Sequence, residues 1–245
     1  MPNRACGTIE TMSLDLARIG RAIGAPARAA MIDALFDGAP HTAGQLAHVA
    51  GVAPATASQH LALLADAGLV TVEPRGRFRH YRLANARVAH ALEQLSGPGQ
   101  GPVSSLRPSR EQRRLRAART CYDHLAGQLG VAVAERFIAA AWTDPQMSTI
   151  TPAGTDALET YFGVDLDLAA RSRRPLVRPC RDWTEQRDHL AGTIGTMIAT
   201  AMLTDNWVNR QPGSRALSVT PHGIAQLERA AVTTDAHSPV NDRTG

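Results

Sequence analysis

Apolar residues recur at helical spacing through the first third of the chain. Leu16, Ile19 and Ile23 mark one helix before Gly24 and Pro26 stop the run. Met31, Ile32, Leu35 and Phe36 mark a second, ended by Gly38 and Pro40. Thr42 is placed to cap a third helix carrying Leu46 and Val49, with Gly51 as its C-terminal stop. Pro54 fits the first turn of a fourth helix, whose Ala57, Leu61 and Leu64 face inward until Gly68. The period then changes. In LVTVEPRGRFRHYRL, Val70, Val72, Phe78 and Tyr81 lie around a Pro-Arg-Gly turn, which predicts a β-hairpin with an arginine-studded tip. Val88, Leu92 and Leu95 form a last helix.

From Ser96 to Pro108 the sequence reads SGPGQGPVSSLRP, too rich in Gly, Pro and Ser to hold a regular element, and predicts a linker. Ser109 followed by Gln112 has the form of a capping box that opens a new helix. Beyond it the chain repeats itself. Asp123-His124-Leu125-Ala126-Gly127 returns as Asp188-His189-Leu190-Ala191-Gly192, an offset of 65 residues that also carries Gly130 onto Gly195, Ala134 onto Ala199 and Trp142 onto Trp207. After a four-residue insertion, Thr151-Pro152-Ala153-Gly154 matches Thr220-Pro221-His222-Gly223, and Leu158 matches Leu227. Each copy predicts a long helix, a short extended piece (Thr149-Ile150; Leu217-Ser218-Val219) and a second helix capped by Thr with Pro at its first position. Two copies are fewer than a solenoid needs, so a pseudo-symmetric pair sharing one core is expected.

Composition narrows the class. At 245 residues the chain can bury two ordinary cores, and 44% hydrophobic with 20% charged residues fits neither wholesale disorder nor a fibre. No window approaches 18 uninterrupted apolar residues, and Met1 to Glu10 lacks an apolar signal core, so no membrane partner and a cytoplasmic location are expected. Three widely spaced cysteines make no disulfide framework. All 26 basic residues are arginine, which genomic base composition explains best in a chain also rich in Ala and Gly. The net charge of +4 matters less than its placement. Residues 1–96 carry 9 Arg against 7 acids, residues 97–120 carry 6 Arg against Glu111, and residues 121–245 carry 11 Arg against 14 acids. A basic front and an acidic back suggest two jobs. Few aromatics argue against stacked single strands and leave double-stranded DNA as the nucleic-acid partner.

Two short helices joined by a glycine turn and followed by a basic-tipped hairpin make a winged helix-turn-helix. Ala47, Gly51 and Ala57 let the two helices approach. On the second, Ala55, Thr56, Ser58, Gln59 and His60 lie opposite the inward residues, as short polar groups able to bond base edges or phosphates, with Gln59 suited to adenine. His60 is equally placed to pack under the wing. Thr42 and Gln45 join the expected DNA contacts from the bracing helix, and Arg75, Arg77 and Arg79 reach phosphates or the minor groove. A winged helix serving only protein contacts is the competing reading.

The front segment resembles the ArsR/SmtB family of bacterial repressors. The likeness is carried by Ile23-Gly24-Ala25-Pro26-Ala27-Arg28, by Ala53 to Leu61 with Leu64, by Ala67-Gly68-Leu69-Val70, and through the wing by Gly76 and Tyr81-Arg82-Leu83. It covers about residues 12–96. The resemblance implies a homodimer on a two-fold operator, released when an effector binds, with dimer contacts from the first helix and the helix after the wing. Two family metal sites do not carry over. Where some members place cysteines at the third helix this chain has His41-Thr42-Ala43-Gly44, and on the helix after the wing His90 is the one good ligand.

An effector is therefore expected in the back segment. Cys121 and His124 lie three apart on a predicted helix, and Cys180 and His189 hold the related places in the second copy with six extra residues between them. If the copies pack face to face, two thiolates and two imidazoles converge in a site for Zn²⁺ or a similar transition metal. The same pairs would serve thiol oxidation, or the cysteines are small buried hydrophobes and the histidines pack or cap. Cys6 offers a third thiolate with nothing to place it. A small organic effector between the Ala- and Gly-rich helices Leu129 to Trp142 and Ile194 to Trp207 competes with plain helix packing. Arg171, Arg173, Arg174, Arg178 and Arg181 read first as a solvated loop, with a DNA-flank docking patch or an anion site as the other readings. No enzyme is expected. Gly-loop, nucleophile-elbow and HExxH motifs are missing, and Asp123-His124 and Asp188-His189, as neighbours about 100° apart on a helix, cannot each form a dyad.

The expected fold class is mainly α (α+β). Residues 1–96 would be the winged helix-turn-helix, 97–108 the linker, 109–235 a duplicated helical sensor or dimerisation domain with copies at about 119–165 and 178–232, and 236–245 a disordered tail. The expected function is sequence-specific regulation of transcription. The chain would repress its own or a neighbouring operon from an inverted-repeat operator and be released by an effector. A scaffold or an enzyme using the Asp-His pairs are the alternatives.

Overall fold

The structure, a computed structural model, describes residues 6–95, 110–212 and 214–233, with side chains from residue 15 onward. The linker expected at 97–108, Ser109 of the capping pair, the tail expected at 236–245 and the Cys6 side chain lie outside the described residues. The chain divides into two compact units, Met1–Ala89 and His90–Gly245.

The first unit runs α1 (Cys6–Ile23), α2 (Pro26–Leu35), β1 (His41–Thr42), α3 (Ala43–Ala50), α4 (Pro54–Asp66), β2 (Val70–Arg75) and β3 (Phe78–Leu83), and enters α5 (Ala86–Leu95). Pro26 and Pro54 both sit in a first helical turn, where a missing N–H costs nothing. Thr42 and Gln45 close a capping box on α3, and Gly51 ends it in the left-handed region at φ 63°. Met31, Leu35, Leu46, Leu61, Leu64 and Leu83 are fully buried, each stabilising the unit by about 1.5–3 kcal/mol. Val49, expected on α3 with Leu46, is 43% exposed, while Ala47, expected where the two helices approach, is buried as α3 packs on α4. Arg75 pairs with Phe78, so the wing turns on Gly76-Arg77 and not on Pro-Arg-Gly. Val72 and Phe78 are both exposed, from opposite faces of that hairpin. β1 adds a third strand through His41 opposite Tyr81.

The division between units falls inside α5 and not at the Gly/Pro-rich stretch. The second unit then runs α6 (Arg110–Ala117), β4 (Arg119–Cys121), β5 (His124–Ala126), α7 (Gly127–Ala139), α8 (Pro152–Phe162), α9 (Leu166–Ala170), β6 (Arg178–Arg181), β7 (Asp188–Ala191), α10 (Gly192–Thr204), β8 (Val208–Arg210), β9 (Leu217–Val219) and α11 (Pro221–Arg229). The repeats have one plan. Each begins with a β-hairpin where the sequence predicts the start of a helix, so Cys121 and His124 face each other across strands and do not share a helix face. A thirteen-residue helix follows, α7 in one copy and α10 in the other, and then a buried tryptophan, Trp142 or Trp207. Thr151 and Thr220 cap the second helix by accepting from Gly154 N and Gly223 N at 3.0 and 2.9 Å. Those glycines are required, since a Cβ at either would run into the carbonyl of Trp142 or Trp207. The extended pieces pair as a bridge, Thr143 with Ile150, in the first copy and as β8–β9 in the second.

The copies pack reciprocally, α7 on β7 and α10 on β5. Reciprocal packing of this kind is what a two-fold relation produces. Phe137, Trp142, Phe162 and Trp207 join the shared core, Phe137 edge-on to Trp142 with ring centroids 5.1 Å apart. Between Gly130 and Gly195 the cavity is only about 10 Å³, so the small residues of the two helices serve close packing.

Candidate DNA-reading face and candidate metal centre

α4 separates its faces as its sequence dictates. Ala57, Leu61 and Leu64 are buried, while Ala55, Ser58 and Gln59 form an exposed stripe on the other side. Ser58 Oγ donates to Pro54 O at 3.0 Å within the helix, a bond that a base or phosphate acceptor can replace. Thr56 is half-buried at the edge of this stripe. His60 turns elsewhere, its Nδ1 3.2 Å from the Arg28 guanidinium of α2. Thr42 and Gln45 are spent on each other: the Gln45 carboxamide oxygen accepts from Thr42 N at 2.8 Å and from its hydroxyl at 3.0 Å. On the wing Arg75, Arg77 and Arg79 are all exposed, with Arg75 loosely paired to Glu73 at 3.4 Å. An open groove of about 570 Å³ lies between α4 and the wing, bordered by Ser58, Ala62, Arg77 and Arg79.

The second unit brings four side chains to one point. Cys121 is registered opposite His124 across β4–β5, and Cys180 opposite His189 across β6–β7. Directly opposed residues project from the same face of a hairpin, so each hairpin offers one sulfur and one imidazole together. The two faces meet. Cys121 Sγ lies 4.0 Å from Cys180 Sγ and His124 Nε2 lies 3.2 Å from His189 Nε2. All four ligand atoms fall within 4.8 Å of one another, and all four residues are buried. Gly130 and Gly195 make the approach possible: a Cβ on Gly130 would lie 2.6 Å from Leu125 O and 3.5 Å from His189 Cβ, and one on Gly195 would lie 2.5 Å from Leu190 O and 3.3 Å from His124 Cβ. Each copy's helix thus leaves room for the other copy's histidine.

A charged shell surrounds the quartet. His124 Nδ1 is 3.0 Å from Asp123 Oδ1, whose other oxygen accepts from Arg174 at 2.6 Å. The neighbouring Asp-His pair does form, because the residues sit at a hairpin turn and not on a helix; Tyr122 enters that turn with φ 63°. Burial opposes ionisation of Asp123, but the His124 ring and the Arg174 guanidinium outweigh it and hold the carboxyl at about 2. His189 does not use its neighbour Asp188, which lies 3.8 Å from Arg181. Its Nδ1 is 3.2 Å from Asp182 Oδ2, at ion-pair distance though off the line of a good hydrogen bond. Asp182 comes from the six-residue insertion and sequence reasoning missed it. Its oxygens also accept from Gly127 N at 2.7 Å, Arg119 at 3.0 Å and the Thr184 hydroxyl at 2.7 Å. Against the cost of burial, the His189 ring, Arg119 and these donors hold its carboxyl well below the usual range. The Cys121 thiol is pushed up to about 12 by its contact with Cys180 and then by burial.

His90, the one ligand-type residue on α5, approaches the same place, with Nδ1 3.3 Å from Cys180 Sγ. Three residues on, buried Glu93 receives Arg215 at 2.6 Å and Arg119 at 3.5 Å. Of the expected arginine cluster, Arg174 and Arg181 are ion-paired, while Arg178 donates to Pro179 O at 3.3 Å.

A helix-turn-helix domain model matches residues 23–73. The chain is 36% identical over 220 residues to the HTH-type transcriptional regulator YdfF of Bacillus subtilis (strain 168), spanning 89% of this chain and 97% of that protein. It is 40% identical over 88 residues to the HTH-type transcriptional regulator CmtR of Mycobacterium tuberculosis, 36% of this chain and 74% of CmtR. Among solved structures it is similar to the homodimeric winged helix-turn-helix DNA-binding domain of Mb0332 from Mycobacterium bovis, a possible ArsR-family regulator, at 28% identity over 39% of this chain and 88% of that one, with a TM-score of 0.35. Among the described residues no helix is long and apolar enough to cross a membrane.

Proposed function

The chain belongs to the HTH-type transcriptional regulators, and from that premise we propose that it represses its own or a neighbouring operon by binding an inverted-repeat operator as a homodimer. One observation carries the reading: α4 keeps Ala55, Ser58 and Gln59 exposed on the face opposite its buried stripe, with the wing arginines exposed beside it. Short polar side chains on a groove-sized helix read base edges, and arginines grip phosphates without regard to sequence. Leu16 on α1 and Leu95 on α5 are 67% and 70% exposed, which supports pairing through the helices that the ArsR/SmtB resemblance assigns to the dimer. The effector that releases the operator is sensed in the second unit.

Fluorescence anisotropy on a duplex from the chain's own promoter tests the reading against a random duplex of equal length. Ser58→Ala with Gln59→Ala is expected to weaken promoter binding about 5- to 150-fold, from about 1–3 kcal/mol of lost discrimination, and to leave random duplex unchanged. Arg77→Ala is expected to weaken both duplexes alike and make the salt dependence shallower by about one unit of slope. Equal affinity of the unmodified chain for promoter and random duplex would overturn sequence-specific control in favour of a scaffold.

A further inference from the structure

We propose that Cys121, His124, Cys180 and His189 are the four ligands of one tetrahedral metal ion of the Zn²⁺ class, held between the two copies of the repeat. Ligands 2.0–2.1 Å (nitrogen) and 2.3 Å (sulfur) from a tetrahedral ion stand about 3.3–3.4 Å and about 3.8 Å apart respectively, from typical zinc bond lengths. The two imidazole nitrogens are 3.2 Å apart and the two sulfurs 4.0 Å apart. The nitrogen–nitrogen and sulfur–sulfur edges are thus within about 0.2 Å of those of a zinc tetrahedron, and all four ligand atoms stay within 4.8 Å of one another.

Proton placement points the same way. Asp123 and Asp182 stand beside the Nδ1 atoms, and a carboxylate there favours the tautomer with its proton on Nδ1. Both Nε2 atoms then direct lone pairs at one another, inside a site where His124 is 3% exposed and His189 fully buried. In so buried a place two facing lone pairs repel and call for an electrophile between them. Two adjacent sulfurs select a soft or borderline divalent ion, and two thiolates with two neutral imidazoles make its complex electrically neutral, the form that burial penalises least. The four protein ligands leave no position for substrate, as in a structural or regulatory centre. His90 is oriented to donate Nδ1–H to Cys180 Sγ, so α5 contacts the centre's outer shell without supplying a ligand.

This goes beyond the reading of the DNA face and does not depend on it. The test uses the full chain, expressed with zinc, purified without chelators and analysed by elemental mass spectrometry, with cobalt(II) as the spectroscopic probe. One equivalent of zinc per chain is expected. Cobalt is expected to give the intense visible bands of tetrahedral coordination and a near-ultraviolet thiolate-to-cobalt band, losing about half of the latter in Cys121→Ser or Cys180→Ser. His90→Ala should keep one equivalent and lose no more than about 10- to 100-fold in affinity, the range for outer-shell partners. Folded wild-type chain that takes up neither metal overturns the proposal, as does a cobalt spectrum with no thiolate band. A mass two hydrogens lower, with both thiols closed to alkylation and no metal bound, would replace it with a disulfide. The wild-type cobalt spectrum decides the question even where a ligand variant fails to fold.

Discussion

The two copies of the repeat reach the same geometry by different local means. In the first, a two-residue turn joins Cys121 to His124, and the turn residue Asp123 supplies the carboxylate beside the ring. In the second, six more residues separate Cys180 from His189, and Asp182 from that insertion takes over while Asp188 pairs outward with Arg181. What both copies retain is a cysteine opposite a histidine, a glycine against the other copy's histidine, a buried tryptophan and a threonine cap. The carboxylate is required in space but not at a fixed place in sequence.

That contrast can be broken first at its asymmetric point. Asp182→Asn removes a buried carboxylate on which Arg119 and Gly127 N also depend, leaving Arg119 with Glu93 at 3.5 Å. Chemical denaturation should show a loss of about 3 kcal/mol, the lower end for one partner of a buried pair because Glu93 remains. The half-exposed partner Arg174 makes the matching Asp123→Asn loss smaller. Gly130→Ala and Gly195→Ala sharpen the symmetric part. Each places a methyl group about 2.5 Å from a carbonyl and against a histidine, so each should cost about 2 kcal/mol, with the two melting curves shifting together. Unequal losses from the two glycines would argue against a two-fold arrangement. The smallest expected effect is at the caps: Thr151→Ala and Thr220→Ala should cost about 1 kcal/mol each, read as equal shifts in denaturation midpoint.

Much of the first unit was legible because its signals are local. Pro54 and Gly68 bracket α4, and the residues expected inside it are the buried ones. The differences lie where tertiary contacts decide, as in the exposure of Val49 on α3, or where strand register moves the wing turn onto Gly76. The four metal-type residues were visible through the repeat, but on the wrong element. A three-residue spacing suits one helix face, and Cys121-Tyr122-Asp123-His124 offered nothing against it. The contrary signal lay in the second copy: six added residues between Cys180 and His189 would rotate a helix face away, whereas a hairpin absorbs them in its loop. Asp182 had no counterpart in the first copy to give it away, and buried Glu93 and half-buried His90 lie on a helix whose pattern gave no reason to expect Glu93 inside or His90 beside Cys180.

The reciprocal packing of glycine and histidine has a consequence for how the second unit comes into being. A lone copy carries one sulfur and one imidazole, with the supporting glycine belonging to its twin. Apart, two such halves would have to find each other by diffusion, at whatever abundance the cell maintains. Joined in one polypeptide, they meet at the millimolar effective concentration of a short tether, so the quartet assembles once per chain however scarce the protein is.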